Sequence, residues 1–346
     1  MTRHAHLVGA WPGSGPERAM QTALRELGEH LVCMSDGETG DRSIWVTPII
    51  DTLRANPDVE QVREGDGTSY EDTPEFRLKP GQSLDPANLR LQYAHAFQRS
   101  FDSFKALRRQ FDRPELRFQV GIPAPTDLAV YSFGEAAFAD HSLYEAFLEA
   151  TAREIEEIVE AADEDVVFQV ETVVGLVAVA QADDGEQEAV ANRMADQLLN
   201  VVRRAPKGTH FGFHLCLGDF NHEAYGRMRD SRPLVLLSNA LAASWPEDRK
   251  LEFIHVPFAA AKEPPIAEVE FYEPLRDLDL PDDVRFIAGF LHESLDLKAH
   301  QELLERIEER VGHEVDIAAA CGLGRRKSSQ EAFDAMRETS ALIASA

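Results

Sequence analysis

Short apolar segments rich in Val, Ile, Leu and Phe alternate along this chain with longer amphipathic segments. The short segments predict β-strands at residues 4–9, 31–35, 116–121, 166–171, 211–216, 251–256, 285–290 and 315–319. The longer segments predict α-helices at residues 16–27, 44–55, 86–110, 135–162, 187–204, 233–243, 298–311 and 330–344. Alternating strands and helices are typical of parallel sheets with crossover helices. Eight such repeats predict an α/β protein of the (β/α)8 TIM-barrel class, with residues 1–346 forming a single domain.

A polar segment at residues 56–85 interrupts this alternation after the second predicted helix. Its glycines and prolines favour turns over regular helix or strand. We therefore expect an insertion on the rim of the barrel, which forms a lid or a long loop.

The chain is strongly acidic, with 35 Lys+Arg against 61 Asp+Glu and a formal net charge of -26. Such a surface repels nucleic-acid phosphates and anionic membranes, so we expect neither as a partner. Three cysteines are too few for a disulfide scaffold, and the N-terminal residues lack the pattern of a secretory signal. The longest apolar segment, residues 166–180, contains Gln169 and Glu171 and is too short to span a bilayer. These features predict a cytoplasmic protein with small-molecule partners, and they leave its oligomeric state open.

Residues with soft ligand atoms fall where two predicted strands end. His214 and Cys216 are two apart in the fifth strand, so both side chains point to the same face. Cys321 follows the eighth strand, and the carboxyl ends of barrel strands lie on one rim. Imidazole and thiolate both bind zinc, and His255 in the sixth strand is a candidate fourth ligand. The alternative is that these are packed core side chains, as buried His and Cys often are.

Further polar residues end the second and fourth predicted strands. Asp36, Glu38 and Arg42 have the charges to bind a polar substrate, although this segment equally suits a turn followed by a helix cap. Glu171 lies in an apolar strand, where an unpaired carboxylate is costly, and this favours a functional role. Asp219 follows the His-x-Cys motif on the same rim and is a candidate catalytic residue.

The segment after the last predicted strand is rich in glycine and arginine. Gly322 and Gly324 lack the third glycine of a dinucleotide-binding loop, and we expect them to let the backbone turn close to the metal. Arg325 is a candidate for binding an anionic substrate group, with a structural or solvated role as the alternative. Cys33 lies inside the second predicted strand, before the rim, and we interpret it as a core residue.

Two segments carry a resemblance to a known family. Residues 213–221 (FHLCLGDFN) and 320–325 (ACGLGR) resemble the zinc motifs of UROD/MetE-like barrels, especially the catalytic half of cobalamin-independent methionine synthase and its short single-barrel relatives. Residues 6–12 resemble the family's first strand and substrate loop, which makes Trp11 a substrate-binding candidate. The resemblance implies one catalytic zinc per chain, held by the His-x-Cys motif and the late cysteine.

The chain departs from this family at two positions, which concern the metal and the substrate. The family's strand-six glutamate ligand is absent and His255 stands there, so either His255 or a substrate fills the fourth metal position. The family's Asp-Glu-Pro, which helps hold an amino acid substrate, is replaced by Glu171-Thr172-Val173, which leaves the acceptor open. His292 occupies the place of a family histidine implicated in proton transfer, and the resemblance implies that role for it.

The principal hypothesis is a zinc-dependent methyl- or alkyltransferase that acts on a small thiol. Zinc lowers the pKa of a bound thiol, and the thiolate would attack the alkyl group of a donor, for example a folate-type methyl donor. His292 would protonate the leaving group, while Glu171, Asp36 and Glu38 would position the substrate. Two alternatives stay open. One is a decarboxylase or lyase of the uroporphyrinogen decarboxylase-like branch, and the other is a non-catalytic zinc- or ligand-binding barrel.

Overall fold

Nine β-strands lie among the residues that the computed structural model describes, which are 3–44, 46–65, 69–70, 72–162 and 165–345. They are β1 (Cys33–Met34), β2 (Val59–Arg63), β3 (Glu75–Leu78), β4 (Arg117–Pro123), β5 (Val166–Thr172), β6 (His210–Leu215), β7 (Lys250–Pro257), β8 (Arg285–Leu291) and β9 (Asp316–Ala319). Seven of them pair in parallel in the order β1-β4-β5-β6-β7-β8-β9 and form the central sheet. Strands β2 and β3 form a separate antiparallel hairpin.

Helices cover the outside of this sheet and connect its strands. Within the described residues they are α1 (Pro16–Glu26), α2 (Thr47–Ala55), α3 (Tyr93–Gln110), α4 (Pro125–Phe133), α5 (Ala136–Ala139), α6 (His141–Ala162), α7 (Val174–Gln181), α8 (Gln187–Arg204), α9 (Arg232–Ala243), α10 (Leu297–Val311) and α11 (Ser329–Ser345). Helix α3, for example, packs Phe101 and Phe104 against Phe118 of β4, with ring centroids 5.9 and 5.1 Å apart. No helix among these described residues is long and apolar enough to cross a membrane.

The two edges of the central sheet meet at Ala5. This residue forms isolated parallel bridges with Leu31, just before β1, and with Ile317 in β9. The backbone N–H of Ala5 donates to the carbonyl of His30 at 2.8 Å, and that of His6 donates to the carbonyl of Ile317 at 2.9 Å. The architecture is therefore a curled, seven-stranded parallel sheet of the TIM-barrel-like kind.

The first predicted strand, residues 4–9, is reduced to the two bridges of Ala5. Beyond Ala5, the carbonyls of Leu7 and Val8 accept hydrogen bonds from the side-chain amide of Gln119, at 3.0 and 3.1 Å. Val8 also accepts from the side chain of Gln169. Side-chain amides thus take the place of neighbouring strands for this segment, which is why it is not a regular strand. The other predicted strands each overlap one strand of the sheet.

Helix α3 begins later than the predicted start at residue 86, and a carboxylate from another helix explains its start. Glu154 of α6 accepts hydrogen bonds from the backbone N–H groups of Leu91, Tyr93 and Ala94, at 2.6, 2.6 and 3.1 Å. The first N–H groups of a helix have no partner within it, so this carboxylate acts as a cap. Helices α4 and α7, which follow β4 and β5, are additional to the predicted ones.

The predicted rim insertion, residues 56–85, contains the β2–β3 hairpin. Tyr70, Thr73 and Glu75 of this segment line the cavity at the end of the sheet. Residues 66–68 and 71 of the insertion lie outside the described residues.

Candidate metal centre and cavity

Strand β6 turns apolar side chains outward and metal-binding side chains inward. Phe213 packs against Trp245, with the two ring centroids 6.1 Å apart. His214 and Cys216 alternate with such outward residues, so they share the opposite face of the strand. Both are buried.

His214, Cys216 and Cys321 come together at the carboxyl end of the sheet. One ligand atom from each residue lies within 4.8 Å of the others, and the two sulfur atoms are 3.9 Å apart. Cys321 reaches this place because it follows β9 on the same rim. Two sulfur atoms and one imidazole nitrogen suit zinc. The structure therefore unites the three residues that the sequence assigns to one metal site.

His255 contacts His214 and is not part of the group that His214 forms with the two cysteines. Its Nε2 is 3.0 Å from the carbonyl oxygen of Ala319, and its Nδ1 is 2.8 Å from Nδ1 of His214. Since a carbonyl oxygen only accepts, Nε2 of His255 carries the hydrogen. Burial lowers the pKa of His255 to about 4, so the ring is neutral and its Nδ1 must accept. His214 then donates from Nδ1, which leaves its Nε2 with a free lone pair.

This Nε2 atom of His214 is buried and has no hydrogen-bond partner among the described residues. A buried polar atom without a partner is costly, and a metal ion held with the two sulfur atoms would satisfy it. Both ring nitrogens of His255 are already occupied, so the structure does not position His255 as the predicted fourth ligand. It orients His214 instead, as outer-shell partners of metal ligands do.

The two thiols of Cys216 and Cys321 are electrostatically coupled. The hydrogen bond to Cys321 and burial raise the pKa of Cys216 well above its usual value. The same hydrogen bond lowers the pKa of Cys321. The backbone N–H of Gly218 also donates to the sulfur of Cys216, at 3.3 Å. Of the two thiols, Cys321 is therefore the one that more readily forms a thiolate, which is the form that binds metals.

A cavity of about 410 Å³ opens above these three residues. Its size is within the range of small-molecule binding sites. Four residues that the sequence predicts to be catalytic or substrate-binding also line it: Glu38, Glu171, Asp219 and Arg325.

Glu38 and Glu171 form a partly buried carboxylate pair beside Gly121. A β-carbon on Gly121 would lie 2.7 Å from Oε1 of Glu38 and 2.8 Å from Oε1 of Glu171, so both carboxylates approach one point. Burial raises the pKa of Glu38 to about 7. Burial and the charge of Glu38 raise the pKa of Glu171 well above its usual value, although Gln169 donates to Glu171 at 2.8 Å. A cation bound between the two carboxylates would relieve their repulsion.

Asp219 and Arg325 lie in the cavity wall on the side of the metal centre. The side chain of Asp219 is only 1% exposed, and neither carboxyl oxygen has a hydrogen-bond partner among the described residues. Burial raises the pKa of Asp219, while the charges of Arg325 and Arg326 oppose this shift. Arg325 donates to the backbone carbonyls of Ser43 and Asp219, the latter at 3.1 Å. Asp219 is thus a buried carboxylate without a protein donor.

The cavity lining does not include Asp36, Arg42 or Trp11. The Oδ2 atom of Asp36 accepts hydrogen bonds from Arg42 and Ser100, both at 2.6 Å. Trp11 is buried, and its indole N–H donates to the carbonyl of Ala19 at 2.9 Å. The paired polar atoms of Asp36 and Trp11 give these two residues structural positions in place of the predicted substrate contacts. Arg42 also lines a smaller neighbouring cavity together with Glu38 and Glu171.

His292 also lies outside the cavity lining. Its Nδ1 is 2.8 Å from the hydroxyl of Ser294, and its Nε2 is 3.1 Å from the carbonyl of Ala261. Burial lowers its pKa. The resemblance implies that His292 protonates a leaving group. Both of its ring nitrogens have local partners, however, so His292 is not in position for this role.

Sequence patterns do not identify most of the aromatic residues that line the cavity, which are Tyr70, Tyr131, Phe138, Phe220 and Tyr225. Tyr70 comes from the rim insertion and Tyr131 from α4, far apart in sequence. Only Phe220 and Tyr225 could have been suspected from the sequence, because they closely follow the His-x-Cys motif.

Fold and site together define a TIM-barrel-like α/β protein with a His/Cys group able to hold a metal ion. No protein-family model and no curated protein matches the sequence. Solved structures do match. A B12-independent methionine synthase from Shewanella sp. W3-18-1, in complex with selenomethionine, aligns with a TM-score of 0.60 and 14% identity over 99% of this chain and 96% of that one. A methyltransferase from Methanosarcina mazei aligns with a TM-score of 0.51 and 13% identity over 97% of this chain and 93% of that one.

These alignments cover nearly the whole of both chains, so the similarity extends beyond a common core. At such identities they show a shared fold. The resemblance to methionine synthase-like barrels that the sequence motifs indicate is thereby confirmed at the level of the fold.

Proposed function

We propose that the protein is a zinc-dependent methyl- or alkyltransferase whose acceptor is a small thiol. The observation that carries this proposal is the group of His214, Cys216 and Cys321, whose ligand atoms lie within 4.8 Å of one another, together with the buried and unpartnered Nε2 of His214. The fold shared with methionine synthase-like proteins and a methyltransferase supports it. Three protein ligands leave one position on a tetrahedral ion, as in catalytic zinc sites, which favours an enzyme over a non-catalytic zinc barrel.

The same three residues would hold the ion, and the cavity would hold the substrates. Bound zinc would lower the pKa of a thiol at this site, so that it reacts as a thiolate at neutral pH. The pair of Glu38 and Glu171 would bind a cationic group of the acceptor, such as an ammonium, and fix its orientation. His255 would keep His214 in the tautomer that presents Nε2.

We also propose that residues 4–9 take the place of the eighth strand in a single-domain barrel formed by residues 1–346. The bridges of Ala5 to both edges of the sheet support this. The insertion at residues 56–85 would serve as a lid, because its Tyr70 lies in the cavity wall near the cysteines.

Zinc content and its response to thiols test the proposed function. We expect metal-replete protein to contain about one zinc per chain, with two sulfur and one nitrogen neighbours from the protein. Adding homocysteine, cysteine or 2-mercaptoethanol singly should add one sulfur neighbour for the accepted thiol, measured by zinc K-edge absorption spectroscopy. Protein without zinc, or zinc with four protein ligands that no thiol alters, would contradict the proposal.

Replacing Gly121 by alanine tests the carboxylate pair. Its new β-carbon would press on both carboxylates, so we expect acceptor affinity to fall by about tenfold or more, because small misplacements of binding groups have large effects. Thermal unfolding should show a folded protein, and calorimetric titration with the accepted thiol measures the affinity. The matched control is Gly185→Ala, where an added β-carbon has nothing within 4 Å. Equal affinities in the two variants would show that the pair does not bind the acceptor.

A further inference from the structure

Four aromatic rings form a continuous wall of the cavity near the metal centre. The ring of Tyr70 lies 4.9 Å from that of Phe220 and 5.2 Å from that of Tyr225, between centroids. The ring of Tyr131 lies 5.9 Å from that of Phe220. The hydroxyl of Tyr70 lies against Gly218, which follows Cys216 closely in the chain. We call Tyr70, Tyr131, Phe220 and Tyr225 the aromatic wall.

The charged residues of the cavity are mainly acidic. Among the described lining residues there are five carboxylates, against two guanidinium groups and no lysine. One guanidinium, that of Arg63, lies 3.9 Å from the carboxylate of Glu75. The other, that of Arg325, donates to the backbone carbonyls of Ser43 and Asp219. Burial raises the pKa of four of these carboxyl groups, and a bound cation would favour their charged forms, so the cavity suits a cationic ligand better than an anionic one.

Asp219 provides an independent indication of such a ligand. Its side chain is almost fully buried and lines the cavity, yet both oxygens lack a hydrogen-bond partner among the described residues. The nearest basic atom of His222, Nδ1, is 3.9 Å from Oδ1. The charges of Arg325, Arg326 and His222 lower the pKa of Asp219 but do not fully offset the effect of burial, so a cation in the cavity would further compensate the charge of this carboxylate.

A cation without N–H donors matches both the aromatic wall and the negative charge of Asp219. Sulfonium and quaternary ammonium groups carry a positive charge but donate no classical hydrogen bond, so they bind to aromatic faces and to nearby carboxylates. An ordinary ammonium or guanidinium would instead require several acceptors arranged around it. The aromatic wall supplies aromatic side chains that line the cavity, and Asp219, whose carboxyl oxygens are buried in the cavity wall, supplies negative charge.

We propose that the alkyl donor of this enzyme is an onium compound, a sulfonium or a quaternary ammonium, held by the aromatic wall and Asp219. This inference rests on the proposed transfer to a thiol and names its donor class. It differs from the folate-type donor of the family resemblance. The carboxylate pair of Glu38 and Glu171 stays available for the acceptor.

The transfer step balances without a further reagent. The acceptor thiol loses its proton to solvent on binding, and its sulfur attacks the methyl carbon of the donor. A sulfur–carbon bond forms as the bond from that carbon to the onium sulfur or nitrogen breaks. The bonding electron pair stays on the leaving atom, which departs as a neutral sulfide or amine. No proton has to be delivered to this leaving group, in agreement with the position of His292 outside the cavity.

Calorimetric titration with a matched pair of probes tests the binding part of this proposal. Choline and its neutral isostere 3,3-dimethylbutan-1-ol have the same shape, so their difference reports the charge. We expect choline to bind about tenfold more tightly or better, and tetramethylammonium to compete with it. Asp219→Asn and Tyr225→Leu should each reduce this preference several-fold, whereas Tyr225→Phe, which keeps the ring, should retain it. Tyr225 is 57% exposed, so its variants should fold.

The matched control is Asp102→Asn, which removes a carboxylate that is 91% exposed on α3 and should leave the preference unchanged. Equal binding of choline and its neutral isostere would overturn the proposal. So would an unchanged preference in Asp219→Asn.

A transfer assay tests the donor role and separates it from the proposed function. Zinc-loaded protein with the accepted thiol and trimethylsulfonium should release dimethyl sulfide and form the methyl thioether, and tetramethylammonium should release trimethylamine if nitrogen donors are used. Methylation from a folate-type donor alone would overturn the onium proposal and leave the thiol transferase intact. Protein that binds choline but takes up neither zinc nor thiol would instead overturn the proposed function.

Discussion

Cys321→Ser should lose its zinc and more than about a hundredfold of its transfer activity, and Cys216→Ser should behave in the same way. Each variant removes one of the three ligand atoms that lie within 4.8 Å of one another. Losing only an outer-shell partner of a metal ligand typically costs 10- to 100-fold, so losing a ligand should cost more. Elemental analysis after dialysis measures the zinc content per chain and checks the loss of zinc. The initial rate of thioether formation checks the loss of transfer activity.

Cys33→Ser is the matched control for these variants. Cys33 is also buried, but its sulfur lies 3.1 Å from Oε1 of Gln119, and burial raises its pKa to about 11. It therefore stays a neutral thiol, and a serine hydroxyl can keep the hydrogen bond to Gln119. We expect this variant to keep its zinc. If Cys321→Ser bound as much zinc as Cys33→Ser, the metal centre would have to lie elsewhere.

The grouping of the three candidate metal ligands could be predicted from the sequence, because strand geometry determines on which face and at which end of the sheet each side chain lies. A spacing of two residues in β6 places His214 and Cys216 on one face, and the carboxyl ends of parallel strands meet on one rim, which adds Cys321. Glu171 could be predicted for a similar reason, since a carboxylate in an apolar strand needs a partner or a function. These inferences need only local pattern and the fold class.

Residues whose role depends on distant partners could not be predicted. The role of His255 depends on the carbonyl of Ala319, which determines which nitrogen carries the hydrogen. The position of His292 depends on the carbonyl of Ala261. A histidine near the end of a strand looks the same in sequence whether it lines the cavity or turns beneath a neighbouring loop.

The fold shows the same division between local and distant causes. Seven strands follow from apolar segments that pair with neighbours of the same kind. The segment at residues 4–9 is equally apolar, but the side chains of Gln119 and Gln169 occupy its carbonyls. No periodicity along the segment reveals that two glutamines from other strands replace its strand partners.

Glu38→Gln should make the ligand-free protein more stable at pH 8 and at the same time weaken acceptor binding. Burial raises the pKa of Glu38 from 4.5 to about 7 in the folded protein. A raised folded-state pKa favours the protonated form, so its stabilising contribution is complete below about pH 4.5 and is lost as the pH rises through about 7. At pH 8 the wild type therefore carries a buried charge that the glutamine variant lacks. This difference is on the order of 3 kcal/mol.

The melting temperatures of Glu38→Gln and the wild type should thus differ by several degrees at pH 8 and converge as the pH falls toward 4.5. Glu171→Gln should change in the same direction, because burial also raises the pKa of Glu171. Both variants should lose about tenfold or more in acceptor affinity, since a neutral amide cannot compensate a cationic group as a carboxylate does.

Glu149→Gln, an exposed change on α6, is the control and should alter neither the melting temperature nor the acceptor affinity. Stability that rises without loss of affinity would mean that the pair is strained for a reason other than acceptor binding. If the melting temperature of Glu38→Gln were lower than that of the wild type at pH 8, the charged Glu38 side chain would not be destabilising in the folded protein.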